Sequence, residues 1–201
     1  AGNTDGMVRR TDLMVNGAPA FVGQVDGDVP DAPAHLSDYA SRNFSLSIVA
    51  AEEIRGEIDA AIRRHGASRI AVVMGTSTSG IAEGEDALQR GLPNGALPED
   101  FNMRKQEPGS VGEALARYLG LSGPAYTVST ACSSGAKAIE SGRRLLRTGL
   151  ADAVLAGGAD SLCRLTLNGF HALAALSGGI CNPMSRNRDG TSIGEGAAVF
   201  L

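Results

Sequence analysis

Aromatic side chains are scarce, with five Phe, three Tyr and no Trp in 201 residues. A core built from this chain therefore rests on Ala, Val, Ile and Leu, and the 27 glycines suit close backbone packing and tight turns. Long apolar runs are missing too. None approaches the ~20 residues that cross a bilayer, so no membrane partner is expected. Positive charge is not in excess: the formal net charge is −4, which gives no electrostatic reason to expect nucleic acid. The three cysteines are an odd number without paired metal-type spacing. That fits a reducing cytosol rather than a disulfide framework, and neither a metal nor another cofactor is expected. No glycine-rich segment forms G-x-G-x-x-G or G-x-x-x-x-G-K-[ST], which disfavours a nucleotide site.

What is present is an alternation of strand and helix patterns. Residues 1–38, rich in Gly, Pro and Asp, read as loops with one short strand near Ala20–Val25. Phe44, Ile48, Ala51, Ile54, Ile58 and Ile62 recur at helical steps. They predict one helix from about Ser37 to Arg64, capped by Ser37 or Asp38 and stopped at His65-Gly66. Ile70–Met74 reads as a buried parallel strand that opens into a polar loop, Gly75–Gly80. Helices are predicted over 81–90 and 109–119, a strand over Tyr126–Ser129, and a helix over Ser133–Arg147 ending at Gly149. A further strand, Ala153–Ala156, should stop at Gly157-Gly158, followed by a helix over 165–176. The fold class is α/β with a parallel or mixed sheet. The chain closes on Gly196–Leu201, an apolar strand-like run with no turn residue, and the expectation is a domain cut at both ends.

The strongest chemical signal is Thr130-Ala131-Cys132-Ser133-Ser134-Gly135. It sets a cysteine between a strand and the first turn of a helix, where backbone N–H groups favour an anion. The same groups suit an oxyanion on a bound thioester, and the small neighbours leave room for an acyl group. Read from the residues alone, Cys132 fits two roles: a nucleophile, or a small buried apolar residue. Cys163 and Cys181 read as packing residues, on the expectation that neither begins a helix. His35, His65 and His171 stand singly and read as surface or structural groups. Arg143, Arg144 and Arg147 are accounted for by the C-terminal end of their helix.

An ordered set of segments carries a resemblance. Val128–Gly135 resembles the nucleophile elbow of β-ketoacyl-acyl-carrier-protein synthases. Ala151–Asp160, with its double glycine, is similar to the family's next strand and turn. Gly169-Phe170, Ala175-Leu176-Ser177, Asn187-Arg188-Asp189-Gly190 and Gly194-Glu195-Gly196-Ala197 follow in the family's order, and Ser41-Arg42-Asn43 resembles an Arg-Asn pair on an early helix. The resemblance covers most of residues 37–201. Asp160-Ser161-Leu162-Cys163-Arg164 leans toward ketosynthases of pigment or aryl-polyene clusters.

The resemblance implies a thiolase-like fold, with residues 1–201 forming the N-terminal half of a layered αβαβα architecture and the C-terminal half absent. It implies decarboxylative Claisen condensation of an acyl thioester with a malonyl thioester on an acyl carrier protein, through an acyl-Cys132 intermediate. The supporting two histidines and one lysine belong to the second half, and the 201-residue piece alone is expected to be inactive. Glu195, Ser133 and Gly135 are placed near the site, Glu195 in either a hydrogen-bonding or ion-pairing role or a turn role fixed by its flanking glycines. Phe170 and Glu107 are placed at the acyl pocket, although a carboxylate at Glu107 departs from the apolar residues usual there. Carrier docking falls to Arg104 and Lys105, with Arg42 as what remains of a thin early basic cluster. A homodimer, or a heterodimer with a related subunit, is implied. Two rival readings are a non-catalytic chain-length-factor-like partner, which usually lacks the cysteine, and a thiolase-type enzyme acting on coenzyme A esters.

Overall fold

The computed structural model describes residues 3–201. The expectations that touch Ala1 and Gly2 lie outside the described residues. Two short strands come first, β1 (Met7–Arg10) and β2 (Ala20–Gly23), paired antiparallel with Val8 opposite Val22. Only the second was expected. The sequence then builds a four-stranded sheet from β3 (Ile70–Gly75), β4 (Ala125–Val128), β5 (Ala153–Asp160) and β6 (Gly196–Phe200). Its order is β4-β3-β5-β6, parallel except for β6, which runs antiparallel to β5.

The apolar run of β3 explains why it is central. Ile70, Val72 and Met74 point to one face of the sheet, where they meet Ala51, Ile58, Leu115 and Leu155. Ala71 and Val73 point to the other and meet Ala138, Leu145 and Val154. A strand covered on both faces has no use for polar alternation. The first face carries α1 (Arg42–Glu52), α2 (Arg55–His65) and α4 (Ser110–Tyr118). The second carries α5 (Ser134–Arg147), which gives three layers. Two helices flank these layers, α3 (Ile81–Gly91) and α6 (Arg164–Ala172).

Three expectations need correction. The single helix over 37–64 is two, because the chain breaks at Ile54 (φ −115°, ψ 23°) between α1 and α2. Its start is also later. Residues 34–39 form a 3₁₀ segment, and Ser41 caps α1 by accepting from the Phe44 N–H at 3.2 Å. The double glycine does not end β5. The strand runs through Gly157 and Gly158 to Asp160, because both lie where another chain segment passes too close for a side chain. A Cβ on Gly157 would sit 2.0 Å from the Ala198 carbonyl oxygen, and one on Gly158 would sit 3.1 Å from that of Gly75. The last helix stops at Ala172, short of 176.

Candidate active site

Cys132 lies on a sharp strand-to-helix turn between β4 and α5, and its residue is exposed. The turn is made by Ala131, which holds φ +52°, a left-handed value that costs an L-residue about 1–2 kcal/mol. The surroundings fix it there. Its carbonyl accepts from the Ser134 N–H at 3.0 Å and lies 2.6 Å from Ser134 Oγ. Ser134 Oγ in turn accepts from the Thr130 N–H at 2.9 Å. Ser134 is 3% exposed and latches both sides of Cys132. Its neighbour Ser133, the expected supporting residue, is exposed and turns its hydroxyl back to the Thr130 carbonyl at 2.9 Å.

Glycines let α5 sit against the strand ends. A Cβ on Gly75 would come within 2.5 Å of the Ser134 backbone, and one on Gly158 within 3.6 Å of the Gly135 Cα. Gly135 therefore contributes by close approach behind the elbow. The loop that follows β3 is organised by Asp160 at the end of β5. One of its carboxylate oxygens accepts from the N–H groups of Ser77 at 2.7 Å and Thr78 at 2.9 Å, and from the hydroxyls of Thr76 and Thr78 at 3.0 Å. Buried Asn43 ties the same loop to β5, donating to Thr76 Oγ1 and to the Ala159 carbonyl, both at 2.9 Å.

Cys132 opens onto a mainly apolar cavity of about 610 Å³. Its walls include Ser77 and Thr78 from this loop, Phe170 from α6 and Leu173 just after it, and Ile193 and Gly194. The α6 wall is held from a distance: the Glu85 carboxylate on α3 accepts from the Arg164 N–H at 2.8 Å and the Leu165 N–H at 2.6 Å. A carboxylate there satisfies two free helix-start amides and complements their partial positive charge.

Of the residues placed at the acyl pocket, Phe170 lines this cavity, whereas Glu107 is exposed and outside it. The backbone carbonyl of Glu107 is fixed by Ser79 Oγ at 2.9 Å, and its side chain is left on the solvent side. Arg42 and Glu195, expected in separate roles, form one ion pair. Arg42 Nε donates to Glu195 Oε2 at 3.0 Å, and its Nη2 donates to Oε1 at 2.5 Å. The Glu195 side chain is only 3% exposed and also accepts from the Val25 N–H at 3.2 Å. Burial pushes the Glu195 carboxyl up, but the hydrogen bonds from Arg42 and Val25 outweigh it and hold it below its ordinary value. The guanidinium of Arg42, expected at the docking surface, is held by Glu195. Arg104 is exposed, donating to the Tyr39 hydroxyl at 2.8 Å, and Lys105 makes no ion pair among the described residues.

Cys163, contrary to expectation, does begin a helix: it occupies the N-cap position of α6. It is 1% exposed, its sulfur lies 3.0 Å from Thr166 Oγ1, and burial pushes its thiol up. Cys181 is half-buried and donates to the Gly190 carbonyl at 3.1 Å. Among the described residues no cluster of three His, Cys, Asp or Glu side chains is placed to hold a metal ion. Among the described residues no helix is long and apolar enough to cross a membrane. Ser134, Asp160 and Glu85 were not singled out by sequence reasoning. The first two lie inside recognised segments with nothing to mark them, and Glu85 meets α6 from 79 positions earlier.

Residues 38–201 match the family model of the β-ketoacyl synthase N-terminal domain. Nodulation protein E of Rhizobium meliloti is 32% identical over 199 residues, covering 98% of this chain and 49% of that protein. The tetracenomycin polyketide synthase ketoacyl synthase alpha subunit of Streptomyces glaucescens is 31% identical, over 96% of this chain and 50% of its own length. A ketosynthase of Xenorhabdus doucetiae, solved in complex with its chain length factor, superposes with a TM-score of 0.90 at 44% identity. The match covers 96% of this chain and 49% of that one. The chain thus spans about half the length of the relatives it matches.

Proposed function

Because the chain belongs to the β-ketoacyl synthase family, with its thiolase-like fold, we propose that it is the nucleophile-bearing half of a carrier-dependent condensing enzyme. The observation that carries this reading is the exposed Cys132, held on a latched elbow at the mouth of a mainly apolar cavity. In the proposed reaction the Cys132 sulfur attacks the carbonyl of an acyl thioester, and the carrier thiol leaves with a proton. The acyl group lies against Phe170 and Leu173. A malonyl thioester then loses carbon dioxide, and the resulting carbanion attacks the acyl-cysteine. The β-ketoacyl thioester forms on the carrier as the C–S bond breaks and returns Cys132. The two histidines and one lysine that assist decarboxylation are assigned to a second half of similar length.

The carrier is proposed to be acidic and to meet Arg104 and Lys105. Two of the solved neighbours pair a ketosynthase with a chain length factor, and a related subunit is proposed as the partner here too. The presence of Cys132 supports the catalytic rather than the non-catalytic side of such a pair. The reading is tested by supplying acyl and malonyl thioesters of a carrier protein to the protein at its full natural length. Carbon dioxide release coupled to a β-ketoacyl product, abolished in Cys132→Ala, is the expected result. Product formation undiminished in Cys132→Ala would refute it.

A further inference from the structure

Behind the Cys132 cavity lies a second one of about 200 Å³, roofed by the β1–β2 hairpin and bounded by Met14, Ala18, Phe21, Val22 and Leu167. Among the described residues Ile193 is the single side chain that lines both cavities. Helix α6 forms the rest of the partition, with Thr166, Gly169 and Phe170 facing Cys132 and Leu167 and His171 facing away. The backbone at Ile193 is clamped by β2: the Gly23 N–H donates to the Ile193 carbonyl at 2.9 Å, and the Glu195 N–H donates to the Gly23 carbonyl at 3.0 Å. Its side chain packs against the buried group of Met14, Ala20, Val22 and Leu167. With the main chain fixed, the Ile193 side chain is the part of the partition common to both cavities.

We propose that Ile193 is the residue that limits the length of the acyl group on Cys132, closing the cavity to longer tails. This rests on the condensing-enzyme reading and adds the determinant of chain length to it. The second cavity is large enough for part of a hydrocarbon tail: more of its wall is apolar than polar, and an apolar cavity of ~150 Å³ suffices for one benzene ring. Its polar groups, His171, Ser177 and Thr191, define a limit beyond which an apolar tail gains nothing.

The test follows acylation of Cys132 by intact-protein mass spectrometry in the protein at its full natural length, using straight-chain acyl-carrier thioesters of increasing length. Ile193→Ala is expected to move the preferred length upward. The rate ratio between acyl groups that differ by two methylenes should rise roughly tenfold, the worth of burying two more CH₂ groups. Ile193→Val, which removes one methyl and keeps the branched shape, should move it in the same direction by less, and serves if the Ala variant folds poorly. Adding Ala18→Phe to Ile193→Ala fills the second cavity and should restore the original preference, while Ala18→Phe alone leaves it unchanged. An unaltered length profile in folded variants, with wild-type Cys132 acylated normally, would overturn the role of Ile193 alone, as would a shift that Ala18→Phe fails to reverse. Wild-type Cys132 left unacylated by every thioester would overturn the condensing-enzyme reading and this inference together.

Discussion

Accessibility separates the three cysteines. Cys132 is exposed, Cys163 is buried with its thiol pushed up by that burial, and the thiol of Cys181 donates to a carbonyl. Brief iodoacetamide treatment followed by peptide mapping should label Cys132 first, and first labelling of Cys163 or Cys181 would contradict the assignment. Glu195 gives a second prediction. Its carboxyl is held below its ordinary value, so its contribution to stability is complete above the unfolded value of about 4.3 and is lost as pH falls through the lower folded value. Glu195→Ala should cost about 2 kcal/mol near neutral pH, a hydrogen-bonded charge pair with one partner a third exposed. Denaturant titrations should show the variant losing less stability than wild type on acidification, and equal pH profiles would refute the pairing as a stabiliser. The strand-to-helix position of Cys132 was legible in the sequence because its small neighbours and helix-start context are local. The Arg42–Glu195 pair was not, since its members stand 153 positions apart and nothing in either segment names the other.

Among the elements, β3 could be read because each of its residues is apolar and both its faces are covered. The break between α1 and α2 could not, because the apolar period of Ala51, Ile54 and Ile58 runs straight across it. Gly157 and Gly158 read as a stop because glycine at a strand end and glycine under a close crossing look alike in sequence. The distinction lies in what passes overhead. Gly75 shows what such a crossing controls. An Ala Cβ there would lie 2.5 Å from backbone atoms of Ser134, so the start of α5 must move away from β3. Gly75→Ala should destabilise by about 1–3 kcal/mol or more, as over-packing does. It should also slow acylation of Cys132 by about 100-fold, the scale expected of a 1 Å misplacement at a reacting centre. Acylation at the wild-type rate in Gly75→Ala would show that the elbow does not depend on this contact.

Across the whole molecule, charge and exposed apolar surface decide how the chain meets others. The net charge is −4, so an acidic carrier must be met by a local patch. Reversing Arg104 and Lys105 to Glu should raise the apparent KM for carrier-bound substrate and leave alkylation of Cys132 unchanged. The wild-type interaction should weaken with salt, which screens exposed charges over ~10 Å at 0.1 M. An unchanged KM would remove both residues from the docking surface. Ile139 and Leu146 on α5 are exposed, and Leu165 on α6 and Leu173 just after it stand exposed at the Cys132 cavity. The isolated 201-residue chain should accordingly self-associate and fail to condense. A monodisperse, condensing preparation of it would contradict that expectation.

The central claim is that Cys132 carries the acyl group. Its most direct test is to incubate the protein at its full natural length with an acyl-carrier thioester, omit malonyl thioester, and map the adduct by peptide mass spectrometry. The account predicts one acyl mass on the peptide that contains Cys132, absent in Cys132→Ala. An adduct on Cys163 or Cys181, or none on any cysteine, would contradict it.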